Sequence, residues 1–319
     1  MKMLQLMLFS TLALTACRPS SINSVSLTSQ PLYAASLNDN GTQALLSTAK
    51  GISLQSQLLS RTVASSLSAP KAAALNVSIS ANGQYGAGIS RNNITLWQLD
   101  DRRMVEQWIL PARSQTLSLA NNGSLLTGLP DGQVLFITPG QKAFRTFNRH
   151  SDSISAVALS PDGRLALSGS QDGQVWLWQT DTSQALHTWQ LGSRISRLAI
   201  SNNAHFSFAA NSMNTALIID NRSGHTISQL HIPVRQQIFS CARFIDDGAR
   251  LLTGTPSREI ILWHSQNGKK VASWQAKVTK RGQINSAVVY SVAKSAPDRV
   301  ISISSNGLLE TWPLPSAKR

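Results

Sequence analysis

One spacing of about forty residues, kept by two independent landmarks, constrains this chain more than any other feature. The clearest unit runs from His150 to Gln190. It holds the turn Ser160-Pro161-Asp162-Gly163, a run from Leu165 to Gly173, and Val175-Trp176-Leu177-Trp178. Apolar runs bounded by Gly and Asp read as short strands with tight connections. The first turn recurs at Gly41, Gly83, Gly123, Gly163, Ala204, Gly248 and Asp298, with spacings of 42, 40, 40, 41, 44 and 50. The position of Trp178 recurs at Ser56, Trp97, Ile137, Ile219, Trp263 and Trp312. Two landmarks holding one period mark a repeated supersecondary unit.

Tryptophan supplies a third check. Trp97 and Trp108, Trp178 and Trp189, and Trp263 and Trp274 are each 11 apart. The same offset from Ile219 reaches Leu230, and from Ser56 reaches Leu67. A large apolar residue on strand three is thus followed by another on strand four. Before the first turn, Ala35 and Leu37, Val77 and Ile79, and their counterparts share a strand face and are expected to pack against a neighbouring unit. The expected fold is all-β: a seven-bladed β-propeller of four-stranded antiparallel blades over residues 31–315, with 316–319 as a tail.

These residues resemble the WD-repeat family, and the fourth unit carries the fullest pattern. The resemblance implies that His150, Ser168, Asp172 and Trp178 form a hydrogen-bonded structural tetrad. Carboxylate would hold imidazole, and imidazole would link through hydroxyl to indole. Elsewhere the pattern departs: Gln98, Gln179, His264 and Pro313 stand where Asp would follow Trp, and the first unit lacks the Trp. The last unit stops at strand three, Leu308–Trp312. An alternating segment, Ile22–Thr28, precedes the first unit and is expected to close the ring as its missing strand.

Residues 1–16 read as a signal peptide: Lys2, then a mostly apolar run too short for a membrane-spanning helix. Leu14-Thr15-Ala16-Cys17 resembles the lipobox of bacterial lipoproteins. The resemblance implies acylation of Cys17, and Arg18 after it implies sorting to the outer membrane, facing the periplasm. Residues 17–30 would then hold both the anchor and the closing strand. Cys241 lies in an apolar run and is expected to be a buried, inert thiol, so no disulfide framework is expected.

The net charge is +14, from 29 Lys and Arg against 15 Asp and Glu. Such an excess suits an anionic partner. In the WD-repeat arrangement the loops leading into strand one share a face with the turns between strands two and three. That face would carry eleven cations against four acids, whereas the opposite face would carry nine of each. Arg113, Arg149, Arg194, Arg235 and Arg281 are the candidate partner-binding residues. Nucleic acid is disfavoured, because few aromatic residues are interleaved with these cations.

No catalytic residues, cofactor or metal ligands are expected. The six histidines lack metal-ligand spacing, and no phosphate loop or nucleophile elbow is present. The expected function is therefore that of a monomeric, lipid-anchored, non-catalytic interaction protein binding a protein or anionic envelope component. The alternatives are an envelope enzyme with a site at the propeller channel and a scaffold for outer-membrane protein assembly.

Overall fold

The computed structural model describes residues 20–58, 60, 63–67, 73–232, 237–278 and 287–316. The signal segment 1–16 and Cys17 lie outside them, as does most of the 316–319 tail. Seven four-stranded antiparallel sheets form a seven-bladed propeller. Six blades are contiguous in sequence. Blade four, for example, runs Ile154–Leu159, Leu165–Ser170, Gln174–Gln179 and Ala185–Gln190 from the inside outward. The seventh takes Val289–Ala296, Arg299–Ser304 and Leu308–Pro313 from the end of the repeat region and Asn23–Ser26 from before it.

The turns explain the first landmark. Ser160 donates its hydroxyl to Asp162 Oδ1 at 2.6 Å and accepts the Leu165 N–H at 2.9 Å. Ser80 with Asn82 and Tyr85, and Ser201 with Asn203 and Phe206, repeat these bonds. The turn then needs a left-handed residue, supplied by Gly163 at φ 77°. Ala204 takes the same conformation at φ 58°, a strained place for a residue with a Cβ.

The core is divided among the seven interfaces between blades, each holding one apolar cluster. The strand-three residue faces the preceding blade and the strand-four residue faces the following one. Leu67 therefore meets Trp97 between blades one and two, and Trp108 meets Ile137 between two and three. Leu230 meets Trp263 between five and six, while Trp274 and Trp312 lie 6.5 Å apart between six and seven. A large residue is usually opposed by a smaller one, so the wedge volume stays filled.

Closure completes the seventh sheet. Asn23–Ser26 pairs antiparallel with Leu308–Thr311, and Val25 lies opposite Leu309. Flanking bonds extend the pairing, from Ile22 N–H to Thr311 O at 2.8 Å and from Leu27 N–H to Gly307 O at 2.9 Å. Without this strand the edge of Leu308–Pro313 would be open. Leu308–Pro313 also holds Glu310, which is fully buried and accepts the Lys277 N–H at 3.0 Å. Burial pushes its carboxyl above the usual carboxylate range.

Deleting residues 22–28 removes this four-residue pairing. At about 1 kcal/mol net for each backbone bond, the deletion should cost roughly 4 kcal/mol. Chemical denaturation of the full chain and the deletion measures the difference; equal midpoints would contradict the closure.

Candidate functional site

The fourth blade assembles three of the four residues that sequence places in a tetrad. His150 Nδ1 donates to Asp172 Oδ2 at 3.1 Å, and its Nε2 accepts from the Ser168 hydroxyl at 2.9 Å. Asp172 also accepts the N–H groups of Ser151 and Gln174, at 3.1 and 2.8 Å. The carboxylate is thus committed to holding the loop before strand one against the next turn. Trp178 departs from the expectation. Its indole N–H has no hydrogen-bond partner. The ring lies flat on Phe147, with centroids 4.6 Å apart and planes within 3°, and this stack across the blade interface fixes its orientation. The missing link occurs elsewhere: Trp263 donates to Thr253 at 2.8 Å and Trp312 to Ser302 at 2.9 Å. The tetrad is therefore distributed over blades four, six and seven.

Two outcomes follow. Trp263→Phe should cost about 1 kcal/mol more than Trp178→Phe, because only the former forfeits a hydrogen bond; urea midpoints read the difference, and equal losses would contradict the assignment. Burial holds the His150 imidazole below its ordinary value, outweighing the opposing pull of Asp172. The unfolded chain then binds the extra proton as pH falls below about 6.5, so stability present at neutral pH is lost on acidification. His150→Gln should flatten that part of a Tm-against-pH profile.

Hydrogen bonds define the two propeller faces. On the first, Gln171 N–H bonds Ser153 O and Ser212 N–H bonds Arg194 O, joining strand two–three turns to the loops before strand one. On the second, Thr180 N–H bonds Arg164 O and Asn221 N–H bonds His205 O. Arg113, Arg149 and Arg194 are exposed on the first face. Arg235 and Arg281 fall outside the described residues. Exposed apolar side chains share this face: Tyr33, Leu75, Ile109, Met213 and Ile238.

Charge pairing separates the faces more sharply than charge number. The second face pairs Arg103 with Asp101, Arg299 with Asp298, and both Arg250 and Lys294 with Asp246. On the first face the His150–Asp172 contact is structural, and among the described residues Arg113, Arg149 and Arg194 form no ion pair. These three arginines therefore keep their field, while the second face cancels part of its own.

The channel between the innermost strands forms a cavity of about 230 Å³. Two arginines line it, and the sequence reading singled out neither. Arg243 donates to Leu37 O at 2.6 Å and to Asp39 at 3.2 Å, and Asn202 donates to the same carboxylate at 2.6 Å. Blades one, five and six are thereby bridged at the second-face end. Arg197 reaches the other way, and its Nη2 donates to the Ser240 carbonyl in the loop before strand one of blade six. The signal was available in the repeat alignment. The column of Arg197 otherwise holds Ala34, Asn76, Thr116, Ala156 and Cys241, and that of Arg243 holds only Ser or Ala. Charge in two columns of small residues marks a channel wall. Cys241, beside Arg197, is buried with its thiol pushed up to about 11, as an inert thiol should be. Trp176 is half-buried, donating to Gln174 at 3.0 Å with its edge against Phe147.

Comparison with known proteins agrees with this architecture. The family profile described as WD domain, G-beta repeat matches residues 141–179. That segment takes the outer strand of blade three and the inner three strands of blade four. The small ribosomal subunit protein RACK1z of Oryza sativa subsp. japonica is 34% identical over 110 residues, covering 33% of this chain and 33% of the relative. A guanine nucleotide-binding protein subunit beta of Oryza sativa subsp. indica is 24% identical over 183 residues, covering 55% of this chain and 48% of the relative. The chain thus spans a third to a half of the length of these curated relatives. A chain from a crystal structure of the mitotic checkpoint complex superimposes with a TM-score of 0.74 at 12% identity, covering 97% of this chain and 98% of that one. The fold is a WD-repeat type of propeller.

Proposed function

We propose that this chain is a non-catalytic interaction platform of a bacterial cell envelope, lipid-anchored through Cys17 to the outer membrane and facing the periplasm. An acidic protein or another anionic envelope component docks on the face formed by the loops before strand one. One observation carries this reading. Arg113, Arg149 and Arg194 stand exposed on that face beside exposed apolar side chains, whereas Arg103, Arg250, Lys294 and Arg299 of the opposite face are paired with acids. Unpaired Arg beside exposed aromatic and aliphatic side chains is the composition of an interface centre. The relatives are consistent in kind, since one is by name a subunit of a guanine nucleotide-binding protein and the matched solved chain belongs to a complex.

The lipid reading rests on Leu14-Thr15-Ala16-Cys17 at the end of the apolar run. The closing strand begins at Asn23, so an anchor at Cys17 would leave only a short leash to the ring.

Site-specific crosslinkers placed on each face of the full chain in living cells test the docking surface. The first face should trap partners that the second does not. Arg113, Arg149 and Arg194 changed together to Glu should abolish the trapping without lowering Tm. Equal recovery from both faces would overturn the reading. In the same cells, Cys17→Ser should lose incorporation of a fatty-acid label and leave the membrane fraction; retained labelling would overturn the anchor.

A further inference from the structure

The channel poses a charge problem that the docking face does not answer. Arg197 projects from the innermost strand of blade five (Ile195–Ile200) into the cavity. Its guanidinium bonds one backbone carbonyl, that of Ser240, and its buried Nε has no hydrogen-bond partner. No carboxylate is paired with it among the described residues. The acid that lines the channel, Asp39, is already taken by Arg243 and Asn202 at the far end. The neighbouring thiol of Cys241 stays protonated, so it supplies no counter-charge. An arginine cannot shed its proton to escape burial. Arg197 is part-buried with its Nε fully buried, so water screens its charge only in part and no counter-ion offsets the remainder. The lining therefore carries one uncompensated positive charge, within a chamber bridged at one end and facing the arginine-bearing surface at the other.

We propose that the channel is an anion pocket in which Arg197 receives a single carboxylate group. The charge count selects the class. One unmatched cation suits a monoanion, and the planar guanidinium matches a planar carboxylate. A phosphate carries between about one and two negative charges at neutral pH, more than the single unmatched cation offsets. A volume of about 230 Å³ accommodates a short acid or an acidic side chain. The pocket lies under the proposed docking face but does not require a docked partner, so each can fail without the other.

Thermal unfolding of the full chain at constant ionic strength tests this, with chloride as the balancing salt. The probes are butyrate as a free acid, capped glutamate as a side-chain carboxylate, and inorganic phosphate. Ligand binding to the folded state raises Tm as the logarithm of ligand concentration once that concentration exceeds Kd. A rise with either carboxylate that follows this single-site dependence, with an apparent Kd at least about tenfold weaker in Arg197→Gln, supports the pocket. Arg197→Lys keeps the charge, should retain part of the response, and serves if the Gln variant fails to fold. If only capped glutamate responds, the carboxylate is a partner's side chain; if butyrate responds as well, the pocket accepts free acids. The triple Glu variant of Arg113, Arg149 and Arg194 should keep the carboxylate response even where it loses crosslinked partners. The absence of any carboxylate-dependent shift in the wild type, at constant ionic strength, would overturn the pocket. So would an unchanged shift in Arg197→Gln, which would leave Arg197 as a structural brace only, or a stronger response to phosphate.

Discussion

The molecule depends on the packing of one blade against the next. No single sheet here buries enough apolar surface to stand alone, because each offers both of its faces to neighbours. Each wedge is filled by a strand-four residue from one blade and a strand-three residue from the next, as with Leu230 and Trp263 or Trp108 and Ile137. A ring of such contacts has no stable end, since an open blade would leave both a sheet edge and a half-filled wedge exposed. Hence Asn23–Ser26 must return to Leu308–Thr311, and the wedge between blades seven and one is filled by Leu32, Leu58 and Ile301 in place of a tryptophan.

This division of labour explains what the chain has kept and what it has let go. Wedge volume is required at every interface, so a large apolar residue or its compensating neighbour persists in nearly every unit. The polar tetrad is required at none. Its histidine–aspartate half survives in blade four, and its hydroxyl–indole half in blades six and seven. Each half ties two strands, and neither depends on the other. A buried indole N–H left unsatisfied at Trp178 is tolerated because the stack on Phe147 holds the ring. The polar turn chemistry, by contrast, recurs almost unchanged at Ser80, Ser160 and Ser201, because every tight turn faces the same local demand for backbone hydrogen bonds.

Much of this was legible in the order of residues. Blade number, strand number and the partner of Leu308–Pro313 follow from a period and a parity, which are properties of local sequence. The orientation of the Trp178 indole is set by Phe147, 31 residues earlier in the chain and stacked on it from the neighbouring blade, which the repeat pattern within one unit does not show. The channel arginines were legible in principle, as cations in columns of small residues, but their opposite reach is not. Arg197 and Arg243 occupy adjacent blades with similar surroundings in sequence. One turns toward Ser240 and the other toward Asp39, because the ring brings Asp39 of blade one within reach of blade six. On the second face Lys294 of blade seven meets Asp246 of blade six across 48 residues, a contact between neighbouring blades.

Ring closure is therefore the premise of the channel and of the Arg243–Asp39 bridge across it, and hydrogen–deuterium exchange tests it most directly. The account predicts that amides of Asn23–Ser26 and Leu308–Pro313 exchange in the same cooperative opening as those of Leu165–Ser170 in blade four. Fast, independent exchange of the two closing strands, with blade four still protected, would contradict it.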